Sequence, residues 1–294
     1  MIKLNPIIEV NGLIKTYPKS DFKLDNVSFS VPSGAIMGFI GENGAGKTST
    51  LKCIIGTLIK DSGQVKLFGE DQTDKNSYLR DNLGIVFDTE SFGGGMTPRR
   101  VASIMRSFYS KWDDDVFIKH LENFKLSYTK KIKTFSRGMT MKLALAAALS
   151  HDPRLLILDE ATGGLDPVAR DEVLDVLLDF VQDENKSVLL SSHITSDLEK
   201  VADYITFIHE GKIILSEPKD DLIYSYGIMR CTKSQYEQIE DHDIIAVRNR
   251  GHQVNVLVES KDVVKRKYKN FVVDDISIEE MMLMFIRGEE NEKK

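Results

Sequence analysis

The segment Gly41–Ser49 constrains the fold more than any other part of the sequence. It reads GENGAGKTS and fits the pattern G-x-x-x-x-G-K-[ST] of a phosphate-binding loop. An apolar strand candidate, Ile36–Ile40, precedes it, and a helix-compatible run over residues 50–55 follows it. In that context the glycines let backbone N–H groups surround an anion, and the helix directs the positive end of its dipole at it. The loop therefore predicts an α/β fold that binds a nucleotide.

Two side chains of this loop carry chemistry of their own. The Lys47 amine is expected to reach the β- and γ-phosphates, and the Thr48 hydroxyl is expected to bind Mg²⁺. The other nucleotide-binding candidates in the loop are Gly41, Asn43, Gly44, Gly46 and Ser49.

A second motif follows the apolar strand candidate Leu155–Leu158, where two carboxylates, Asp159 and Glu160, stand side by side. A carboxylate at such a strand end can hold Mg²⁺, and its neighbour can polarise the water that attacks the γ-phosphate. Two solvated acids would be the plain alternative, which the phosphate loop upstream disfavours. We expect Asp159 to be a metal ligand and Glu160 to be the general base.

Composition excludes several classes of protein. Hydrophobic and charged residues make up 41% and 29% of the 294 residues, as in an ordinary water-soluble protein. Apolar runs are far shorter than the ~20 residues of a membrane span, and the first residues lack the regions of a signal peptide. The net charge of −6 disfavours nucleic-acid binding. Cys53 and Cys231 lack metal-ligand spacing, so we expect a reduced, cytoplasmic compartment.

The pattern along the chain predicts two parts, residues 1–216 and 217–294. The first part mixes strand candidates with a helical stretch at about residues 90–150, broken near Asp113–Asp115 and Ser136–Gly138. The second part has short strand candidates and a closing helix at Ile278–Ile286. Its basic run Lys265–Lys269 reads as a solvated helix face, with anionic lipid or nucleic acid as the alternative partner.

Further motifs occur in the order of a known family. The run Phe135–Met139 opens a helix about twenty residues before Asp159, Gly164–Asp166 follows Glu160, and Ser191–His193 follows an apolar strand. These runs resemble the signature, the D-loop and the switch histidine of the ATP-binding subunits of ABC transporters. The resemblance extends from about residue 7 to residue 215.

The resemblance implies a P-loop NTPase fold of ABC type, with a mixed sheet core, a helical subdomain and a small C-terminal α+β extension. It implies ATP and Mg²⁺ as cofactors. Catalysis would rest on Lys47, Glu160 and His193. Further contacts to ATP would come from Tyr17, on which adenine would stack, and from Ser136, Gly138 and Asp166.

Two positions depart from the family pattern. Arg137 replaces a glycine and cannot cheaply copy its left-handed backbone, so it either points outward or adds a cation near phosphate. Asp88 stands where the family usually has the glutamine that contacts Mg²⁺ and the attacking water. A carboxylate there could still bind Mg²⁺, although its charge could slow hydrolysis. Glu90 is a weaker candidate for the same role.

The resemblance also implies partners. In the family, the signature of one subunit covers the ATP held by another, so we expect a homodimer, or a heterodimer with a sister ATPase subunit. A separate multi-span transmembrane subunit would dock on residues 97–150 and the loop Asp88–Gly95. The chain would then lie in the cytoplasm, on the inner face of the cell membrane.

The segment after residue 216 resembles the extensions of Gram-positive subunits of the bacitracin-export type. We therefore expect an exporter of peptides or antibiotic-like amphipathic compounds. The segment itself is expected to be an accessory or regulatory domain, or else a structural brace or dimerisation patch. The alternatives are a nucleotide-sensing regulatory ATPase and a soluble ATPase that acts on ribosomes or DNA.

Overall fold

A computed structural model of the chain describes residues 6–72, 77–87, 92–251 and 253–288. Contacts divide the chain into two compact units, Met1–Ile213 and Ile214–Lys294. The sequence pattern predicts a boundary nearby, after residue 216.

The strands, numbered in chain order, are β1 (Pro6–Thr16), β2 (Lys23–Pro32), β3 (Ile36–Ile40), β4 (Ser62–Leu67), β5 (Glu70–Asp71), β6 (Leu83–Phe87), β7 (Leu155–Asp159), β8 (Ser187–Ser192), β9 (Tyr204–His209), β10 (Lys212–Pro218), β11 (Gly227–Thr232), β12 (Ala246–Arg250), β13 (Gln253–Val258) and β14 (Val272–Asp275). The α-helices are α1 (Lys47–Ile54), α2 (Ser77–Asp81), α3 (Pro98–Phe108), α4 (Asp114–Asn123), α5 (Arg137–Leu149), α6 (Pro167–Phe180), α7 (Thr195–Val201), α8 (Lys219–Ser225), α9 (Lys233–Tyr236), α10 (Lys261–Lys267) and α11 (Ile278–Arg287).

In the first unit, five strands of a sheet lie in the order β9-β3-β8-β7-β6. Strand β3 pairs in parallel with β8 and β9, and β7 pairs in parallel with β6 and β8. Strands β3, β7 and β8 are buried along their whole length, which explains the apolar runs within them. Because parallel strands end at the same edge of a sheet, the residues that follow these three strands, Gly41, Glu160 and His193, meet at one edge.

An antiparallel sheet in the order β2-β1-β4-β5 packs on this central sheet. Phe29 of β2 stacks on Phe39 of β3, with ring centroids 5.2 Å apart. Buried apolar side chains of β1, β2 and β4 join the same core. The loop between β1 and β2, which carries Tyr17, is thereby fixed to the sheet that carries the phosphate loop.

The helices α3, α4 and α5 form a helical subdomain around Val101, Phe117 and Leu143. Each helix begins after a side chain that accepts a backbone N–H, supplied in turn by Thr97, Asp113 and Ser136. Such caps satisfy N–H groups that have no partner inside the helix, so the turn breaks expected near Asp113 and Ser136 are helix starts. Among the described residues, no helix combines the length and the apolar composition of a membrane span.

The second unit contains a four-stranded antiparallel sheet in the order β12-β13-β11-β14. Met229, Val256 and Tyr268 belong to its apolar core. The basic residues of the run, Lys265, Arg266, Lys267 and Lys269, are exposed, as expected of a solvated face. Lys267 lies 2.6 Å from Asp243 and 2.9 Å from Glu240. The hydrogen bond to Asp243 raises the pKa of Lys267.

Candidate active site

The phosphate-loop candidate connects β3 to α1 in close contact with two neighbouring strands. A Cβ at Gly41 would lie 2.5 Å from the Ile208 carbonyl oxygen of β9, and one at Gly46 would lie 2.7 Å from Leu24 Cδ2 of β2. Gly46 also has a φ of 113°, a region that side chains rarely adopt. Only glycine therefore allows the loop to follow this path.

Lys47 is the buried cation of the loop, with 6% of its side chain exposed. Its Nζ donates hydrogen bonds to the carbonyl oxygens of Gly41 (2.7 Å) and Glu42 (3.3 Å). The same nitrogen lies 3.0 Å from Glu160 Oε1. The amine thus connects the loop to the carboxylate that follows β7.

Two of the predicted metal ligands are in direct contact. The Thr48 hydroxyl donates a 2.6 Å hydrogen bond to Asp159 Oδ2, and the Ser191 hydroxyl donates to the other oxygen of Asp159. Hydroxyl and carboxylate oxygens are ligands that Mg²⁺ prefers, so this pair fits the ion. The third predicted ligand, Asp88, lies outside the described residues, as does Glu90.

Glu160 and His193 form the second contact pair at this edge of the sheet. His193 Nδ1 lies 2.6 Å from Glu160 Oε2, and the His193 backbone N–H donates to the same oxygen. Glu160 has a φ of 53°, a conformation that costs a non-glycine residue free energy. Its backbone N–H donates to the Ser191 carbonyl oxygen at 3.1 Å, which helps hold this turn. The Glu160 carboxylate is consequently placed between the Lys47 amine and the His193 imidazole.

A cleft of about 640 Å³ opens beside Lys47 and Glu160, a size typical of small-molecule sites. In the described part of the chain, Gly41, Asp159 and His193 do not line it. The predicted residues that line it are Tyr17, Asn43, Gly44, Gly46, Lys47, Thr48, Ser49 and Glu160. Phe22 lines it as well, with its ring centroid 5.9 Å from that of Tyr17. Phe22 was not predicted to lie at the site. The sequence does show a second aromatic residue close to Tyr17 in the same turn-rich segment, and this could have indicated it.

Three predicted residues lie together at a different place. Ser136 caps α5, and Asp166 caps α6 by accepting hydrogen bonds from the N–H groups of Val168 and Ala169. The bond from Ala169 holds the pKa of Asp166 below its ordinary value. A Cβ at Gly138 would lie 3.1 Å from Ala169 Cβ. In the described part of the chain, Ser136, Gly138 and Asp166 do not line the cleft that contains Lys47.

Arg137 avoids the backbone cost expected from its replacement of a glycine. It lies in α5 and is not among the described residues with positive φ, so this position needs no left-handed backbone. The residue is exposed, and its guanidinium lies against Gly164: a Cβ there would be 2.7 Å from Arg137 Nη1. Arg137 therefore packs the start of α5 against the loop that leads into α6.

Comparisons with known proteins indicate one family. A family model described as ABC transporter matches residues 24–163. The bacitracin transport ATP-binding protein of Bacillus licheniformis is 34% identical over 221 residues, which cover 74% of this chain and 72% of the relative. The lantibiotic transport ATP-binding protein of Streptococcus pyogenes is 32% identical over 216 residues, covering 73% and 92%.

Solved structures show the same fold. An ATP-binding subunit of an ABC transporter aligns with a TM-score of 0.64 and 26% identity over 74% of this chain and 91% of that one. A dimeric ATP-binding cassette in a post-hydrolysis state, bound to ADP and phosphate, aligns with a TM-score of 0.65 and 20% identity, covering 72% and 98%.

Proposed function

The chain belongs to the ATP-binding proteins of ABC transporters and is an ATPase; from this premise we propose how its residues divide the work and what it transports. The observation that supports the site assignment best is the placement of the Glu160 carboxylate between Lys47 and His193, at the side of a nucleotide-sized cleft.

In the proposed site, the adenine base stacks on Tyr17 and Phe22, and the phosphates lie in the loop Gly41–Ser49. Lys47 exchanges its contact with Glu160 for the β- and γ-phosphates. Mg²⁺, when bound, offsets the phosphate charge, and Thr48 and Asp159 would hold it. Asp88 remains a proposed further ligand.

Hydrolysis is assigned to Glu160, which accepts a proton from the attacking water as general base. Such assistance accelerates a reaction by about 10²–10⁴-fold. His193 holds the Glu160 carboxylate on one side and stabilises the γ-phosphate on the other. Most of the remaining acceleration comes from fixed positive charge around the phosphates.

A second subunit completes the site in this proposal. Ser136, Gly138 and Asp166 lie apart from the cleft of their own chain, which is the placement a head-to-tail dimer requires. Each signature would then cover the ATP held by the partner. A homodimer is the simplest arrangement, and a heterodimer with a sister ATPase subunit is the alternative.

We infer that the protein powers export of peptides or antibiotic-like amphipathic compounds. Support comes from the relatives, which are named for bacitracin and lantibiotic transport. These names disfavour a regulatory ATPase or one that acts on ribosomes or DNA. A separate multi-span transmembrane subunit would dock on α3–α5, so that this chain lies on the cytoplasmic face of the membrane. Residues 217–294 would be an accessory, regulatory or dimerisation domain.

The test is co-purification of the tagged full-length chain from its native membranes in mild detergent, with partners identified by mass spectrometry. We expect a stoichiometric partner with several membrane spans. Recovery only as a self-dimer, or with ribosomes, would contradict the transport assignment.

A further inference from the structure

A buried carboxylate lies on the helix that follows the active-site histidine. Asp197 is in the first turn of α7, four residues after His193, and exposes 2% of its side chain. Its Oδ1 lies 3.8 Å from Arg170 Nη1 of α6. Asp197 Oδ2 and Arg170 Nε are both buried, and neither has a hydrogen-bond partner in the described part of the chain. One long contact therefore joins a buried carboxylate to a guanidinium that is 28% exposed and has an enclosed Nε, although buried polar atoms normally have hydrogen-bond partners.

Such a pair is a poor source of stability. Removing charged groups from water is costly, and attraction offsets that cost only with close geometry and satisfied hydrogen bonds. Replacing buried ion pairs by apolar residues is often neutral or stabilising for the same reason. The pair does join α7 to α6.

This link matters because the segment that leads into each helix passes the active site. The chain runs from Glu160 through Gly163, where a Cβ would lie 3.8 Å from His193 Cε1, to the start of α6. It returns to the site at His193, directly before α7. The contact between Glu160 and His193 joins the two chain segments at the active site. The contact between Arg170 and Asp197 joins the two helices that follow these segments.

A second ion pair joins the same two helices and provides a matched control. Lys200 Nζ of α7 lies 3.3 Å from Asp171 Oδ1 of α6, with 60% and 64% of the two side chains exposed. Exposed pairs of this kind contribute little, because water and salt screen them. If any link between α6 and α7 were sufficient, substitutions in either ion pair would have the same effect.

We propose that Arg170 and Asp197 are positioning residues that keep the His193 imidazole within hydrogen-bond reach of Glu160. The proposal rests on the proposed function, since it concerns the same ATP site. Without the charge at position 197, the first turn of α7 shifts and His193 follows it. Since a displacement of about 1 Å can slow an enzyme by about a hundredfold, turnover falls while ATP binding, which depends on the loop Gly41–Ser49, is retained.

The first experiment compares Asp197→Asn with Asp171→Asn in the full chain by hydrogen–deuterium exchange and mass spectrometry. Asp197→Asn is expected to raise exchange several-fold in the peptide that contains His193 and to leave the β3 peptide unchanged. Asp171→Asn is expected to change neither. The melting temperature of Asp197→Asn should fall, because removing one partner leaves the Arg170 guanidinium without its counter-ion.

The second experiment measures ATP hydrolysis. We expect Asp197→Asn to lower kcat at least tenfold with KM within about twofold of the parent, and Asp197→Glu to recover part of the loss. In a His193→Ala background, Asp197→Asn should cause no further loss, because it acts through the histidine.

Unchanged exchange at the His193 peptide, or losses that multiply in the double variant, would overturn the proposal. The two hypotheses fail separately. A parent chain that binds ATP without hydrolysing it would contradict the proposed catalytic roles, whereas the exchange experiment needs no turnover and would still decide the role of Asp197.

Discussion

The Thr48 hydroxyl donates a 2.6 Å hydrogen bond to Asp159 Oδ2 across 111 positions of sequence. Thr48 lies in α1, directly after the loop that leaves β3, and Asp159 ends β7; β8 lies between these two strands in the sheet. The contact therefore depends on strand order. It brings two oxygen atoms that can bind Mg²⁺ to the edge of the sheet where Lys47, Glu160 and His193 also meet.

Mixing two inactive variants tests the head-to-tail dimer. Lys47→Ala should abolish the phosphate site of its own chain, and Ser136→Ala should impair the site of its partner. Each variant alone is expected to be inactive, whereas an equimolar mixture should recover about a quarter of the parent ATPase rate. Half of randomly formed dimers are mixed, and each mixed dimer contains one intact composite site. A mixture as inactive as its components would show that Ser136 acts on its own chain's ATP or that the subunits do not exchange.

The aromatic pair at the cleft should contribute to nucleotide affinity. Tyr17→Ala and Phe22→Ala are each expected to weaken ATP binding by about 1–3 kcal/mol, the range measured for stacking of a base on an aromatic side chain. Tyr17→Phe keeps the ring and should bind ATP like the parent, and Tyr78→Ala, an exposed tyrosine elsewhere, is a second control. Titration calorimetry provides the Kd values. A Kd unchanged in both alanine variants would place adenine elsewhere.

Gly164 is expected to tolerate no side chain. Its φ of 69° and the Arg137 guanidinium beside it predict that Gly164→Ala lowers the free energy of unfolding by roughly 1–3 kcal/mol. Gly95→Ala, at a site with open space and no positive φ, should change it by less than about 0.5 kcal/mol. Adding Arg137→Gly to Gly164→Ala should recover only the steric part of the loss. Urea unfolding measures these differences, and equal stability of the two alanine variants would contradict the packing described.

Cys53 should be unreactive in the native state. Burial raises the pKa of its thiol from 9.0 to about 11, so at pH 8 the reactive thiolate is roughly a hundredfold rarer than in the unfolded chain. Because the folded pKa is the higher one, the thiol's contribution to stability is complete below pH 9 and is lost as pH rises toward 11. Iodoacetamide labelling, followed by peptide mass spectrometry, should modify Cys53 in guanidinium long before it does so in the native protein. Equal rates would show that the site is open.

Much of the fold and site could be predicted from sequence because their signals are local. The phosphate loop has a fixed spacing, and strands such as Leu155–Asp159 are buried on both faces and so appear as apolar runs. The expected ABC-type fold is confirmed by the solved structures, and the expected ATPase family is confirmed by the relatives. The roles of individual residues, and the division into domains, stay predictions.

Other features depend on tertiary contacts that leave no local pattern. Phe22 reaches the cleft only because β1 and β2 pack on the central sheet, and the contact between Arg170 and Asp197 requires α6 and α7 to lie side by side. Helix α7 was not predicted, because Ile194, the residue before its first turn, provides no side-chain cap. The position of the Arg137 side chain depends on how the loop at Gly164 packs. The presence of arginine in place of a glycine gives no information about that packing.

The most direct test of the account compares Glu160→Gln with the parent chain for ATP hydrolysis and for dimer formation in Mg²⁺ and ATP, the latter by light scattering. The substitution keeps the shape of the side chain and removes its basicity. We expect turnover to fall by at least about 10²-fold, with ATP still bound and the dimer now stable. Hydrolysis at the parent rate would show that Glu160 is not the general base and would contradict the mechanism built on its contacts with Lys47 and His193.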